Sequence, residues 1–344
     1  MRLPRINHLV SAAAAVAATG LLLLGCVKRE ETITIEPDGS VFMQVRYEAD
    51  SDEEIHLGDA PPAITGGWLV SESVTHDQDG DDVYVLEAQA GFSPKDDLPS
   101  SFEAPRAVNR GTSLNFPTTV TIEERSDGTY YHFHRHYTAR PWAHLDASRE
   151  LLKEQAGGFE GLDFATMTDG QREGLISVLA RSEALKYQVF ARAAFRDALP
   201  DGPQDAWLKA ATAITATTEA LDYSAILSVM VDENGEIDEE ALEREGKAFE
   251  ESIIQAMRQA LLDHGEVSSS SVNEFIYRFN WHKRYHEITE DLADEGIALT
   301  VVMPGEIVAH NAKSVAGNKA MFEIAGEDMR DKEIELMVTS RLNH

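Results

Sequence analysis

The spacing of apolar positions changes twice along this chain. From Glu31 to Ala49 they recur every second residue. Ile33 and Ile35 alternate with Thr32, Thr34 and Glu36, and Val41, Met43, Val45 and Tyr47 alternate beyond Pro37-Asp38-Gly39-Ser40. A period of two on either side of an Asp-Gly turn predicts a β-hairpin. Trp68 to Ala90 predicts a second hairpin around Asp79-Gly80, and Thr118 to Arg140 a third around Ser126-Asp127-Gly128. Asp50 to Ala63, acidic and containing prolines, reads as a loop.

From Trp142 to about His264 the spacing becomes helical. Leu175, Leu179, Leu185, Val189 and Phe195 fit it, as do Leu242, Phe249, Ile253, Met257 and Leu261. Leu199-Pro200-Asp201-Gly202-Pro203 separates two of these helices, and Asp238 is placed to cap the one that follows. After Ser268 to Ser271 the period returns to two: Phe275, Tyr277, Phe279 and Trp281 alternate with Ile276, Arg278, Asn280 and His282, which predicts a strand. A short helix over Thr289 to Asp294 and strands over Ile297 to Met303, Ile307 to His310, Ala320 to Ile324 and Glu333 to Leu342 complete the reading. Strands, then helices, then strands predict an α+β fold, an antiparallel β domain built from hairpins and interrupted by a helical insertion. The expected segments are 1–25, a targeting peptide; 26–140, the first β-rich part; 141–267, the insertion; and 268–344, the part that completes the β domain.

The targeting peptide rests on its own pattern. Met1 to His8 carries Arg2 and Arg5 and no acid, and Leu9 to Leu24 is an almost unbroken apolar run, too short for a comfortable membrane span of about 20 residues. It ends in Leu23-Leu24-Gly25-Cys26, with the only cysteine of the chain. This ending resembles the bacterial lipobox. The resemblance implies that the Cys26 thiol receives a diacylglyceryl group, that the chain is cut before Cys26, and that the new amine is acylated, with palmitate among the acyl groups. The alternative is a plain secreted protein whose signal happens to end in Gly-Cys. Val27 and Lys28, with no Asp, follow the cysteine, which in enteric bacteria favours the outer membrane over the inner. The expected location is therefore the cell envelope, with the protein lipid-anchored and facing the periplasm.

Charge narrows the partners. Sixty acidic residues against 30 basic ones give a net charge of −30, and loss of Arg2 and Arg5 would leave −32 on the mature chain. Nucleic acid is excluded as a partner because it binds through basic groups on phosphates. A basic patch spread on anionic lipid is excluded too, so membrane attachment falls to the lipid. With Cys26 acylated, no disulfide and no thiol nucleophile remain.

Candidate chemistry is sparse. His132, His134 and His136 alternate along one predicted strand, and a two-residue turn at Asp127-Gly128 would set Glu123 opposite His132. Three imidazoles and a carboxylate on one face can bind a divalent metal and so support a metal-dependent hydrolase; the alternative is a solvated face whose reverse, Tyr131, Phe133 and Tyr137, packs into the core. His282 and His286 would share a face only on a helix. Asp232 to Asp238 resembles the middle of a calcium loop but lacks its first and last ligands, and Asp77, Asp79, Asp81 and Asp82 around Gly80 read as a hairpin tip. No Gly-x-Ser-x-Gly, His-Glu-x-x-His or glycine-rich phosphate loop is present, and no catalytic or cofactor-binding residue is assigned.

Two segments together resemble the LppM-type envelope lipoprotein domain. One runs from Cys26-Val27-Lys28 into Thr34-Ile35-Glu36-Pro37-Asp38-Gly39-Ser40-Val41. The other is Met303-Pro304-Gly305-Glu306-Ile307-Val308 with His310-Asn311-Ala312, Gly317-Asn318 and Phe322-Glu323-Ile324. The resemblance implies a β domain in the cell envelope that binds lipid or glycolipid and carries no enzymatic residues. The leading expectation is a lipid-anchored binding or structural protein, with a lipid or an envelope protein as ligand. The expected site is a pocket between the β domain and the helices, lined by the aromatics of Tyr130 to Tyr137 and Phe275 to Tyr285.

Overall fold

The computed structural model describes residues 27–76, 80–103, 110–142, 146–159, 162, 164–231, 238–292 and 295–343. It is mixed α+β. The chain divides into two units, Ala143–Lys283 and Leu24–Trp142 with Arg284–His344.

The second of these is built on two sheets. Strands β1 (Lys28–Ile35), β2 (Val41–Ala49), β3 (Leu69–His76), β4 (Asp82–Phe92), β7 (Gly296–Val302), β9 (Ser314–Ala316) and β10 (Lys319–Ala325) form a seven-stranded sheet in the order β3-β4-β2-β1-β7-β10-β9. Strands β5 (Thr118–Arg125), β6 (Gly128–Tyr137), β8 (Glu306–His310) and β11 (Ile334–Leu342) form a second, ordered β5-β6-β11-β8. The three expected hairpins are present as β1–β2, β3–β4 and β5–β6. In the first turn Gly39 has φ +86°, and a Cβ there would lie 2.7 Å from Ile122 Cδ1, so both backbone and space require glycine. The inward residues of both sheets share one core that includes Ile33, Met43, Tyr131, Phe133, Leu299, Phe322 and Val338.

Two expectations for this unit change. The sheet is not purely antiparallel, because β1 pairs with β7 in parallel along its length. The N-terminal strand is thus central, held by β2 on one side and on the other by a strand more than 250 residues later in the chain. The stretch Asp50 to Ala63 contains a short helix, α1 (Asp52–Leu57), whose first turn is capped by Ser51 Oγ accepting from the Glu54 amide at 3.3 Å.

The helical unit contains α2 (Asp146–Ala156), α3 (Asp169–Ala198), α4 (Gln204–Glu219), α5 (Tyr223–Met230), α6 (Glu239–Leu262) and the larger part of α7 (Ser269–Leu292), within which the division between units falls. The Leu199–Pro203 break separates α3 from α4, and Asp238 caps α6 by accepting from the Ala241 amide at 3.0 Å. The strand expected over Phe275 to His282 is instead α7, and so is the short helix expected from Thr289. Val272, Phe275, Ile276 and Phe279 are all buried, the i, i+3, i+4, i+7 pattern of a helix stripe, while Tyr277 is exposed. The alternation of aromatics was coincidental, since Ile276 between them is also inside. Ser268, before the helix, accepts from the Ser271 amide at 3.1 Å. The segment from 268 therefore opens on a helix, and strand structure resumes only at Gly296.

Candidate functional site

The lipobox cysteine, Cys26, lies outside the described residues. Its neighbour Val27 is buried, and Lys28 already opens β1. Strand structure thus begins two residues after the cysteine.

The histidines of β6 do share a face. The turn, however, is Ser126-Asp127, which pairs Arg125 with Gly128 and sets Glu123 opposite Tyr130, with Thr121 opposite His132. Glu123 reaches His132 only diagonally, at 3.7 Å, and is held by Arg125 at 2.6 Å. His132 Nδ1 also lies 3.1 Å from Thr339 Oγ1, and His136 Nε2 lies 3.4 Å from Glu333. Neighbours are engaged one by one, and among the described residues no three His, Cys, Asp or Glu side chains are grouped so as to hold a metal ion. His282 and His286 are both on α7, where His282 pairs with Asp197 at 2.9 Å. Most of the Asp232 to Asp238 loop, with Asp77 and Asp79, lies outside the described residues. Asp82 is paired with His76 at 2.9 Å. Of the aromatics expected to line a pocket, Tyr131, Phe133 and Tyr137 are in the β core, and Phe275 and Phe279 in the helical core.

The strongest concentration of buried charge was not anticipated. On β1, Arg29 and Glu31 point inward in phase with Ile33 and Ile35; on β6, Arg135 points inward between Phe133 and Tyr137. Glu31 joins the sheets: one oxygen accepts from Arg29 Nε at 2.9 Å, the other from Arg135 Nη1 at 2.6 Å. Arg29 continues to Asp59 at 3.1 Å, and Asp59 accepts from the Leu114 amide at 2.7 Å. Arg135 donates to Thr118 Oγ1 at 2.8 Å and Tyr137 OH at 3.2 Å. Aromatic rings cover the guanidiniums, Phe102 at 4.7 Å from Arg29 and Phe116 at 4.8 Å from Arg135. Burial opposes ionisation of Glu31, but Arg29 and Arg135 outweigh it and hold this carboxyl below its ordinary range.

Beside this chain the balance reverses. Burial raises Asp59 despite Arg29. Glu295 is pushed up to about 8, by burial first and then by Asp59 and Asp291. Gly58 permits the crowding, since a Cβ there would lie 3.1 Å from Glu295 Oε1 and 3.2 Å from Asp291 Oδ2. Tyr47 OH, fully buried beside these groups, has no hydrogen-bond partner among the described residues. Arg140 is a second buried anchor: it donates to the carbonyls of Thr112 and Tyr285 at 2.9 and 2.7 Å and to Thr289 Oγ1 at 3.0 Å. Chemically, this interior pairs charges and favours the neutral form of Glu295. The sequence signal for it was present: charged residues in the inward phase of strands whose other inward residues are aliphatic or aromatic.

Two clefts remain. One, of about 440 Å³ on the strands β1, β2, β3 and β4, is polar, lined by residues such as Glu30, Gln44, Arg46, Glu87 and Gln89; its Arg46 is paired with Glu48 at 2.7 Å and with Glu87. The other, of about 360 Å³ in the helical unit, is apolar and lies against α2 and α3.

No family model matches this chain, and no curated protein matches it. Among solved structures, the folded domain of LppM from Mycobacterium tuberculosis, determined by NMR, aligns over 93% of this chain and 92% of its own at 10% identity. The TM-score is 0.28, a loose structural likeness. No helix among the described residues is long and apolar enough to cross a membrane.

Proposed function

We propose that this chain is a bacterial envelope lipoprotein, held to the membrane by lipid on Cys26 and facing the periplasm, with a binding or structural role. The observation that carries the reading is the junction at Cys26. A basic start and an apolar run end in Leu-Leu-Gly-Cys, and the next residue, Val27, is already inside the β unit. Cleavage before Cys26 would place the acylated amine directly at the start of a central strand. The interior charges are bound to one another, which supports a structural use for them. Two or three acyl chains supply stable attachment, at about 0.8 kcal/mol per buried methylene, to a body whose charge would not itself favour an anionic surface. Outer-membrane sorting is the expected address, from Val27-Lys28.

Growth with an alkyne-bearing fatty acid tests the anchor. The wild-type chain incorporates the label on its N-terminal peptide, and Cys26→Ser loses it and accumulates uncleaved. Equal labelling of the two chains would sink the reading.

A further inference from the structure

The outer face of the seven-stranded sheet carries the polar cleft of about 440 Å³, within the range of small-molecule sites, about 300–1,000 Å³. The register fixes its floor. Thr32, Gln44, Gln89 and Leu69 stand side by side on β1, β2, β4 and β3. Two residues along each strand stand Glu30, Arg46, Glu87 and Ser71. Neighbours within a row are about 4.8 Å apart, and the two rows about 6.5–7 Å apart.

The charges of this face are already matched to one another. Lys28 Nζ lies between Glu30 at 2.6 Å and Glu48 at 3.7 Å. Arg46 lies between Glu48 at 2.7 Å and Glu87. The result is a ladder, Glu30–Lys28–Glu48–Arg46–Glu87, in which each cation is held between two carboxylates. An anionic ligand meets no spare cation there, and a cationic one has to displace a lysine or an arginine already in place.

What the cleft leaves unengaged is neutral. The amides of Gln44 and Gln89 and the hydroxyls of Thr32 and Ser71 make no side-chain hydrogen bond among the described residues. Each of these groups both donates and accepts, as a sugar hydroxyl does. Gln44 and Gln89 face each other across their strand pair with Cβ atoms about 4.5–5.5 Å apart, so two planar amides are offered to adjacent hydroxyls. Phe42 supplies an apolar surface at the end of the row. It is the next outward residue of β2 beyond Gln44, and it is 38% exposed. Its paired residue is Gly91, which has no side chain to cover the ring; a Cβ there would lie 4.0 Å from Phe42 Cδ2. The negative face of an aromatic ring suits the slightly positive C–H face of a sugar ring.

We propose that this cleft binds a neutral oligosaccharide, its hydroxyls on Gln44, Gln89, Thr32 and Ser71 and one ring against Phe42. The site is apart from Cys26, and the proposal does not depend on the lipid anchor.

The test is saturation-transfer NMR on the full chain in phosphatidylcholine nanodiscs, with maltotriose, cellotriose, mannotriose and chitotriose as probes and empty nanodiscs as the blank. At least one trisaccharide receives saturation from the protein. Gln44→Ala with Gln89→Ala, both at exposed positions, lowers its affinity about tenfold, and Phe42→Ala lowers it about three- to tenfold. Thermal melting shows that these variants are folded, and His134→Ala, on the other sheet, leaves binding unchanged. Raising the salt concentration also leaves it unchanged, because the ligand carries no charge to screen. Trigalacturonate, an anionic trisaccharide, binds more weakly than the best neutral one. Absence of transfer to all four neutral sugars would overturn the proposal, as would equal binding by the double glutamine variant. Loss of binding in high salt, or a preference for trigalacturonate, would overturn it too, since the ligand would then be charged.

Discussion

The two units differ in how much charge they bury: in the helical unit, among the described residues, it is confined to the Glu183–Lys186 pair of α3, 2.9 Å apart. The β unit buries Arg29, Glu31, Asp59, Arg135, Arg140 and Glu295 among its aliphatic and aromatic residues. The large core of the helical unit is made of Phe190, Ile214, Phe249, Ile253, Met257, Phe275 and Phe279, with rings such as Tyr187 and Phe279 5.9 Å apart. An apolar core is tolerant, since any group of similar volume satisfies it. A charged core is intolerant, since each charge depends on a particular partner at a particular register. Glu31 shows the consequence: it meets Arg29 on its own strand and Arg135 on the other sheet, so a slip of either strand by one residue would strand a buried charge.

The largest effect should come from breaking that pairing. Glu31→Ala leaves two buried guanidiniums without their shared carboxylate and should cost about 3–5 kcal/mol. Urea unfolding, with hydrogen exchange of β1 and β6 peptides, measures it. Replacing the linked charges together, Arg29→Met, Glu31→Leu and Arg135→Met with Asp59→Asn so that the partner of Arg29 is not left as a buried charge, should recover most of the loss, because apolar groups of similar volume are neutral or better in such places. If the single and quadruple variants are equally unstable, the ions are not what distinguishes this core.

The hairpins were legible because β1–β2, β3–β4 and β5–β6 each put alternating residues beside turn-forming ones, and such pairings are local. The parallel β1–β7 pairing was not legible, since no local signal joins residue 28 to residue 296. The strand expected over Phe275 to His282 failed because four aromatics at period two outweighed Ile276, although the same segment satisfies helical spacing through Val272, Phe275, Ile276 and Phe279. At the candidate sites, the alternation along β6 separates its two faces correctly, with His132, His134 and His136 on the one less buried. Arg135, on the inward face beside the tyrosines already assigned to the core, carried the stronger signal. The cleft at α2 was invisible, because its walls come from separate turns that only folding brings together.

The next effect sharpens the comparison by pH. Glu295 is raised from 4.5 to about 8 in the folded protein, so between those values the folded state holds a proton that the unfolded state has released. Its contribution is fully present below about pH 4.5 and is lost as pH rises through about 8. Stability should fall by on the order of 2 kcal/mol between about pH 5.5 and 7.5 from this group. Glu295→Gln, neutral throughout, should flatten that slope in urea unfolding measured at several pH values. Glu31 has the opposite sign: its carboxyl is held low, so its contribution is lost only in acid. An unchanged slope in Glu295→Gln would mean that the carboxyl is already ionised inside the fold.

The smallest effect belongs to the helical unit. Ile253 on α6 is completely buried in the hydrophobic cluster that holds Phe249, Met257 and Leu261, and Ile253→Val removes one methylene from it. The cost should be about 0.5–1.5 kcal/mol, with no dependence on pH, because no titratable group is disturbed. Hydrogen exchange of α6 peptides should show the loss while β1 and β6 peptides stay protected. The contrast with Glu31→Ala then separates two meanings of a buried residue: Ile253 contributes by the volume it fills, and Glu31 by the partners it holds. A cost above about 3 kcal/mol for so small a deletion would mean that the helical core is as particular about its contents as the charged one, and the distinction between the two interiors would fall.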